Sequence, residues 1–163
     1  MIVKILVEGI LLGALLVLGC AAGKRGGAVN MVFLYPSDVQ ERCVQNGWIT
    51  RERIGRNRKT FFSVYVAVCA VFTVICAYWV NGARGFLQGF LHMYGILEVE
   101  NLIDRLLINE WWVCHTDAWV IPGTEDMRPY ITPGDRRTKW IKGTLGVAVL
   151  CAVFSGVMAL ILK

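Results

Sequence analysis

Long apolar runs alternate with polar segments along the 163-residue chain. Three runs, at 5–22, 61–80 and 143–162, are 18, 20 and 20 residues long, and Glu8 is their only formal charge. Apolar runs of about 18 residues or more predict bilayer-spanning helices. A fourth segment, 85–112, is apolar as far as Leu97 and then carries Glu98, Glu100, Asp104, Arg105 and Glu110. At about 1.5 Å per residue it makes about 42 Å of helix, longer than a bilayer core of about 30 Å is thick.

The polar segments carry helix and turn signals. Ser37-Asp38-Val39-Gln40 has the spacing of a capping box and Asn46-Gly47 that of a stop, which predicts a helix over 38–45. Thr50 reads as the N-cap of a helix that continues into the second span. Further on, Ile121-Pro122-Gly123 predicts a turn, Thr124 the cap of a helical turn at Glu125 and Asp126, and Thr132-Pro133 the start of the last helix. The expected fold is all-α: one domain over 1–163, an integral membrane bundle of four transmembrane helices at about 2–22, 61–80, 85–112 and 140–162. Short interfacial helices lie in cytoplasmic loops at about 23–60 and 113–139.

Composition strengthens the membrane assignment. Hydrophobic residues make up 56% of the chain and charged ones 18%, against about 45–50% and 25% in ordinary soluble domains. A soluble enzyme and a disordered chain are excluded, and no loop left between the helices is long enough to bury a core of its own. Leu16-Val17-Leu18-Gly19-Cys20 loosely resembles a lipoprotein cleavage site. With Lys4 as its only leading cation and Glu8 inside the apolar run, the segment reads instead as a retained first helix.

Charge sets the expected orientation. Lys24, Arg25, Arg42, Arg51, Arg53, Arg56, Arg58 and Lys59 fall in the first long loop, and Arg128, Arg136, Arg137, Lys139 and Lys142 in the second. If 85–112 spans, these thirteen lie on one side against Lys4, Arg84 and Lys163 on the other. If it does not span, the asymmetry disappears. The positive-inside rule therefore favours four spans in the cell (plasma) membrane, with both termini outside. Two short helices followed by basic residues also suggest a DNA-binding motif. The basic run 51–59 abuts a membrane span, however, so the expected partners are anionic lipid headgroups, not nucleic acid.

Small residues at four-residue spacing predict close helix contacts. They occur at Gly9 and Gly13, Gly19 and Gly23, Gly85 and Gly89, and Ala148, Ala152 and Gly156. They fit a tight bundle or a homo-oligomer equally well. Trp111, Trp112, Trp119, Tyr130 and Trp140 read as an aromatic belt at the inner interface. Cys20, Cys69, Cys76 and Cys151 fall in helices and Cys43 and Cys114 near the cytoplasm, with no CxxC, and are assigned no redox role.

Candidate chemistry concentrates on 85–112, because ionisable groups at membrane depth are costly and mark functional sites. A helix entering at Gly85 carries Glu98 about 20 Å, Glu100 about 22 Å and Asp104 about 28 Å into the bilayer. At 100° per residue Tyr94, Glu98, Asn101 and Arg105 share an arc of about 60°. Glu100 and Asp104 lie away from it, and Val99, Leu102, Ile103 and Leu106 form the opposite, apolar sector. In one reading Arg105 pairs with Glu98 or Asp104 and Asn101 bridges them. In the other, Glu98, Glu100 and Asp104 converge on an ion, a proton path or a headgroup, with Arg105 as the anion contact. His115 and Asp117 are weak metal candidates, lacking any HxxxH or HExxH pattern, and His92 is a hydrogen-bonded helix residue. No cofactor is assigned, and bis-histidine haem is excluded for a continuous helix, which would hold His92 and His115 about 35 Å apart.

No serine-elbow, P-loop or dinucleotide motif is present. The function expected first is a transport, channel or small-molecule/lipid-binding module with its polar site on the 85–112 helix. One alternative is a membrane-embedded carboxylate or metal-dependent enzyme acting on a lipid or lipid phosphate. The other is an accessory subunit of a larger complex.

Overall fold

The structure, a computed structural model, describes residues 2–162; Lys163, counted above among the outer cations, lies outside the described residues. Every regular element among the described residues is helical. The long helices are α1 (Ile2–Gly23), α3 (Arg51–Val74), α4 (Gly85–Ile103) and α5 (Pro133–Ile161), and α2 (Ser37–Gln45) is short. α3 runs on through a π-helical stretch, Ile75–Val80, and α4 through a longer one, Asp104–Val113. Short 3-10 turns occupy Ala28–Leu34, Asp117–Trp119 and Glu125–Met127.

Three helices are long and apolar enough to cross a membrane: Ile2–Gly23, Arg51–Val80 and Pro133–Ile161. α4, which carries the acids, is not among them, yet it occupies the centre. α1 and α5 both pack along it, and α3 packs on it more lightly. α3 and α5 pack mainly on α4 and hardly on each other, which leaves a gap between them.

The α1–α4 contact is made through glycine. A Cβ on Gly9 would lie 2.6 Å from Val99 Cγ1 and 2.9 Å from the Ile96 carbonyl, and one on Gly13 would lie 3.1 Å from Ile103 Cβ. The apolar sector of α4 thus sits on the first glycine pair of α1, where missing side chains let the backbones approach. The rest of the small-residue pattern is used differently. Gly19 meets nothing within 4 Å, Gly23 is covered by Met31, and Gly89 is covered by the Tyr78 ring. On α5 the buried positions are Cys151, Ser155 and Met158, one face over from the expected Ala148, Ala152 and Gly156, and Gly156 faces open space.

The loops 24–50 and 114–132 form a joint cap over one end of the bundle. Neither loop has a core of its own, but together they bury Met31, Val32, Phe33, Tyr35, Val39, Cys43, Trp119, Ile121 and Tyr130. Tyr35 donates its hydroxyl to the Trp119 carbonyl and meets Tyr130 edge-on at 5.0 Å. The Tyr130 and Thr124 hydroxyls are 2.8 Å apart, and Lys24 Nζ donates to the Ala118 carbonyl at 2.8 Å. Burial raises the Tyr35 phenol far above its ordinary value, so it remains a donor. The expected aromatic belt therefore divides. Trp111 and Trp140 are exposed, whereas Trp119 and Tyr130 are core residues of the cap.

Local signals fared unevenly. Thr50 caps α3 by accepting from the Arg53 N–H, and Thr132 and Asp135 form a complete capping box at α5, which begins at Pro133 where the cap signal puts it. The expected box at Ser37 does not form. Pro36 is the N-cap of α2, and Gln40 turns back to donate to the Tyr35 carbonyl at 2.7 Å. Thr124 likewise makes no cap, because its hydroxyl bonds inward to the Ile121 carbonyl and Tyr130. All six cysteines are free thiols.

Filling the glycine contact tests the packing. Gly13→Leu is expected to destabilise the fold by about 1–3 kcal/mol, the usual cost of overpacking, and to lower the thermal midpoint in nanodiscs. Gly19→Leu, on the same helix but facing open space, is expected to leave the midpoint within experimental error.

Candidate functional site

The polar residues of α4 do not converge on one point; they divide between its neighbours. Arg105, only 6% exposed, faces α5. It donates to Thr144 Oγ1 at 3.0 Å and lies 4.6 Å from the Trp140 ring centroid. Its side chain fills the space over Gly143, where a Cβ would lie 2.8 Å from the guanidinium. Glu98 is on the same side, but its contact with Arg105 is loose at 4.0 Å. Asn101 does not bridge the two, since its carboxamide nitrogen has no hydrogen-bond partner. Tyr94 completes this side one turn further along and stacks on Phe90 with ring centroids 5.6 Å apart.

Glu100 turns the other way, towards α3. It is 1% exposed and accepts a 2.7 Å hydrogen bond from the Tyr65 hydroxyl. Asp104 accepts from Asn109 Nδ2 at 2.8 Å, and Asn109 Oδ1 accepts from Lys139 Nζ at 2.7 Å. This relay spans five residues because the helix becomes π-helical at Asp104, where i→i+5 bonding brings residues five apart into line. The expected convergence of Glu98, Glu100 and Asp104 is thus replaced by two groups: Glu98 with Arg105 facing α5, and Glu100 facing α3. A wheel drawn at 100° per residue separates the two sides correctly but loses register once the π stretch begins.

Between α3 and α5, against α4 and beneath the cap, lies a cavity of about 460 Å³. That is within the range of about 300–1,000 Å³ usual for small-ligand sites. Its apolar wall comes from Leu16, Phe61, Phe62, Ile108 and Val113, and its roof from Leu34, Tyr35, Trp119, Tyr130 and Ile131. The polar wall consists of Asn101, Asp104, Arg105, Asn109, Lys139 and Lys142. Phe62, Lys139 and Lys142 are exposed, so the cavity opens sideways through the gap between α3 and α5. Asn101 and Trp119 line it with other atoms, while the Asn101 amide nitrogen and the Trp119 indole N–H are enclosed and without an acceptor. Leaving a buried donor unpaired costs about 1–3 kcal/mol.

Three cations therefore face one acid, and that acid already accepts from Asn109. The composition suits an occupant rich in acceptors and negative charge. Sequence reasoning identified Asn101, Asp104 and Arg105 but missed Lys139, Lys142, Asn109 and Trp119. For Lys139 and Lys142 the only signal was a basic stretch at the start of the last helix, which served to fix orientation; Trp119 was read as part of the aromatic belt, and Asn109 gave no signal.

The weaker candidates are located elsewhere. His92 is buried and its Nδ1 lies 2.8 Å from the Gln88 carbonyl, one turn back. His115 Nδ1 lies 2.7 Å from the Glu110 carbonyl, and Asp117 pairs with Arg128 at 3.0 Å on the surface of the cap. No group of three or more His, Cys, Asp or Glu side chains comes together to hold a metal among the described residues. Comparison with known proteins returned no matching family model, curated protein or solved structure.

The Tyr65–Glu100 bond should be energetically coupled. Tyr65→Phe removes the donor from a buried carboxyl and is expected to cost about 1–3 kcal/mol. In a double-mutant cycle on thermal stability, Tyr65→Phe with Glu100→Gln is expected to cost less than the sum of the two single changes.

Proposed function

We propose that the protein is a four-span membrane protein of the cell membrane, with both termini outside, that binds an anionic small molecule or lipid in the cavity beside α4. The fourth span is supported by the place of α4. A helix held among three apolar helices shares their bilayer, and its polar groups then point inward, where membrane helices keep them. The orientation rests on thirteen cations gathered at the capped end, four in the two loops and nine in the first turns of α3 and α5. The cap and the cavity would then be cytoplasmic.

One observation carries the binding reading: a cavity whose polar wall has three cations, two carboxamides and a single acid that is already hydrogen-bonded. A binding module fits better than a channel. Away from the cap the bundle is closed by Leu12, Ala77, Met93, Ile96, Leu97 and Cys151, all buried in one cluster.

Two measurements test this reading. For topology, the background is Cys114→Ser, which leaves only buried native cysteines. Gln45→Cys and Arg137→Cys are expected to react with an impermeant maleimide only from the cytoplasmic side, and Gly82→Cys only from outside. Labelling of Gln45→Cys and Arg137→Cys from opposite sides would contradict four spans. For binding, oleate, glycerol 3-phosphate and phosphatidic acid are each offered to the protein in phosphatidylcholine nanodiscs. At least one is expected to raise the thermal midpoint, as any ligand selective for the folded state does, and Lys142→Gln is expected to weaken that effect. No shift with any of the three anions would refute the binding reading.

A further inference from the structure

The cavity is not isolated. A narrow crevice of about 60 Å³ lies beside it between α3 and α5, with Tyr65 lining both. Each helix contributes successive turns of one face: Tyr65, Cys69 and Thr73 from α3, Leu97 and Met93 from α4, and Val147, Cys151 and Phe154 from α5. Residues four apart on a helix stack along one side, so the crevice runs along the helices, away from the cap. Apart from Glu100, which is tied to Tyr65, and Thr73, which donates to the Cys69 carbonyl, its lining is apolar. Val66 and Leu150 form rims that are 43% and 42% exposed.

We infer that the ligand is a membrane lipid with an anionic phosphate headgroup, entering sideways between α3 and α5. Its phosphate lies among Arg105, Lys139 and Lys142, and one acyl chain lies along the crevice. This inference rests on the binding reading above and narrows it to one source of the anion.

Three observations lead to it. The charged cavity and the apolar crevice lie next to each other with Tyr65 lining both, which matches the two ends of an amphiphile in order and direction. The crevice has room for only about two water-sized groups. It is a track open to the bilayer along its exposed rims, suited to a chain that remains partly in the membrane. The cationic wall also favours phosphate over carboxylate. A carboxylate offers two oxygens, whereas a phosphate monoester offers three strong acceptor oxygens and about −1.5 to −2 charge. Lys139 and Lys142, with Arg105 shared loosely with Glu98 and set against Asp104, provide the complementary charge. Lys142 is exposed and in no ion pair among the described residues, and it sits at the side opening where a headgroup would arrive.

The test uses the whole chain in phosphatidylcholine nanodiscs and compares phosphatidic acid, glycerol 3-phosphate and oleate by thermal midpoint across a titration. Phosphatidic acid is expected to act with at least ~10-fold higher apparent affinity than either of the others, because it alone offers both phosphate and chain. Ala70→Leu, which narrows the crevice, is expected to lower the affinity for phosphatidic acid to near that for glycerol 3-phosphate. Val66→Trp, on the exposed rim, makes the same test if Ala70→Leu does not fold.

Glycerol 3-phosphate equal to phosphatidic acid, with Ala70→Leu and Val66→Trp silent, would overturn the lipid inference and leave a soluble-anion site. Oleate equal to phosphatidic acid would overturn the phosphate assignment. No response to any anion would overturn the binding reading itself, a result distinct from both.

Discussion

The whole arrangement depends on enclosing the polar half of α4. Between apolar helices no water satisfies a carboxylate or a guanidinium, so each such group must find its partner on a neighbouring helix. Arg105 reaches Thr144 and Trp140 on α5, Glu100 reaches Tyr65 on α3, and Asp104 reaches Lys139 through Asn109. Glu110 and Arg136 add a 2.9 Å ion pair at the capped end. α4 is thus fixed by polar contacts on two sides. On a third side it is fixed by apolar packing against the glycines of α1.

The cavity follows from that division. Because α3 and α5 are each committed to α4, they do not close on each other, and the space between them is left open. Near the cap the gap widens where the π-helical stretch shifts the side chains of α4, and π-helical segments often occur at functional sites. The cap closes the top, its fit set by Tyr35, Trp119 and Tyr130. Lys24 stiffens it, lying 5.4 Å from the Trp112 ring centroid and 5.8 Å from that of Trp119. Away from the cap the crevice narrows as the side chains become apolar. Polarity and width therefore decrease together along one direction, a shape suited to an amphiphile.

Much of the helical content could be read from the sequence, because long apolar runs and caps such as Thr50 and Thr132 are local features. The small-residue pairs were legible as devices but not as contacts. Gly9 and Gly13 pack against α4, while Gly19, with the same spacing and composition, faces nothing. Which glycine meets a helix depends on where two helices cross, and no single segment encodes that. The candidate site was half visible for the same reason. Asn101, Asp104 and Arg105 stood out because charge within an apolar segment is rare. Lys139 and Lys142 lie in a stretch where basic residues are ordinary, and only the folding of α5 along α4 brings them to the cavity. The π-helical turn had no sequence signal at all, and it displaced the angular positions beyond Asp104. Ser37 failed as a cap because the cap's own packing drew Gln40 back to Tyr35.

The central claim is that the charged cavity between α3 and α5 holds an anionic lipid. Native mass spectrometry of the protein released from its own membrane in mild detergent tests this most directly. The expected result is a phosphate-bearing lipid retained at about one per chain by the wild-type protein and depleted in Arg105→Gln. Retained lipid that only mirrors the bulk membrane composition, unchanged in Arg105→Gln, would contradict it.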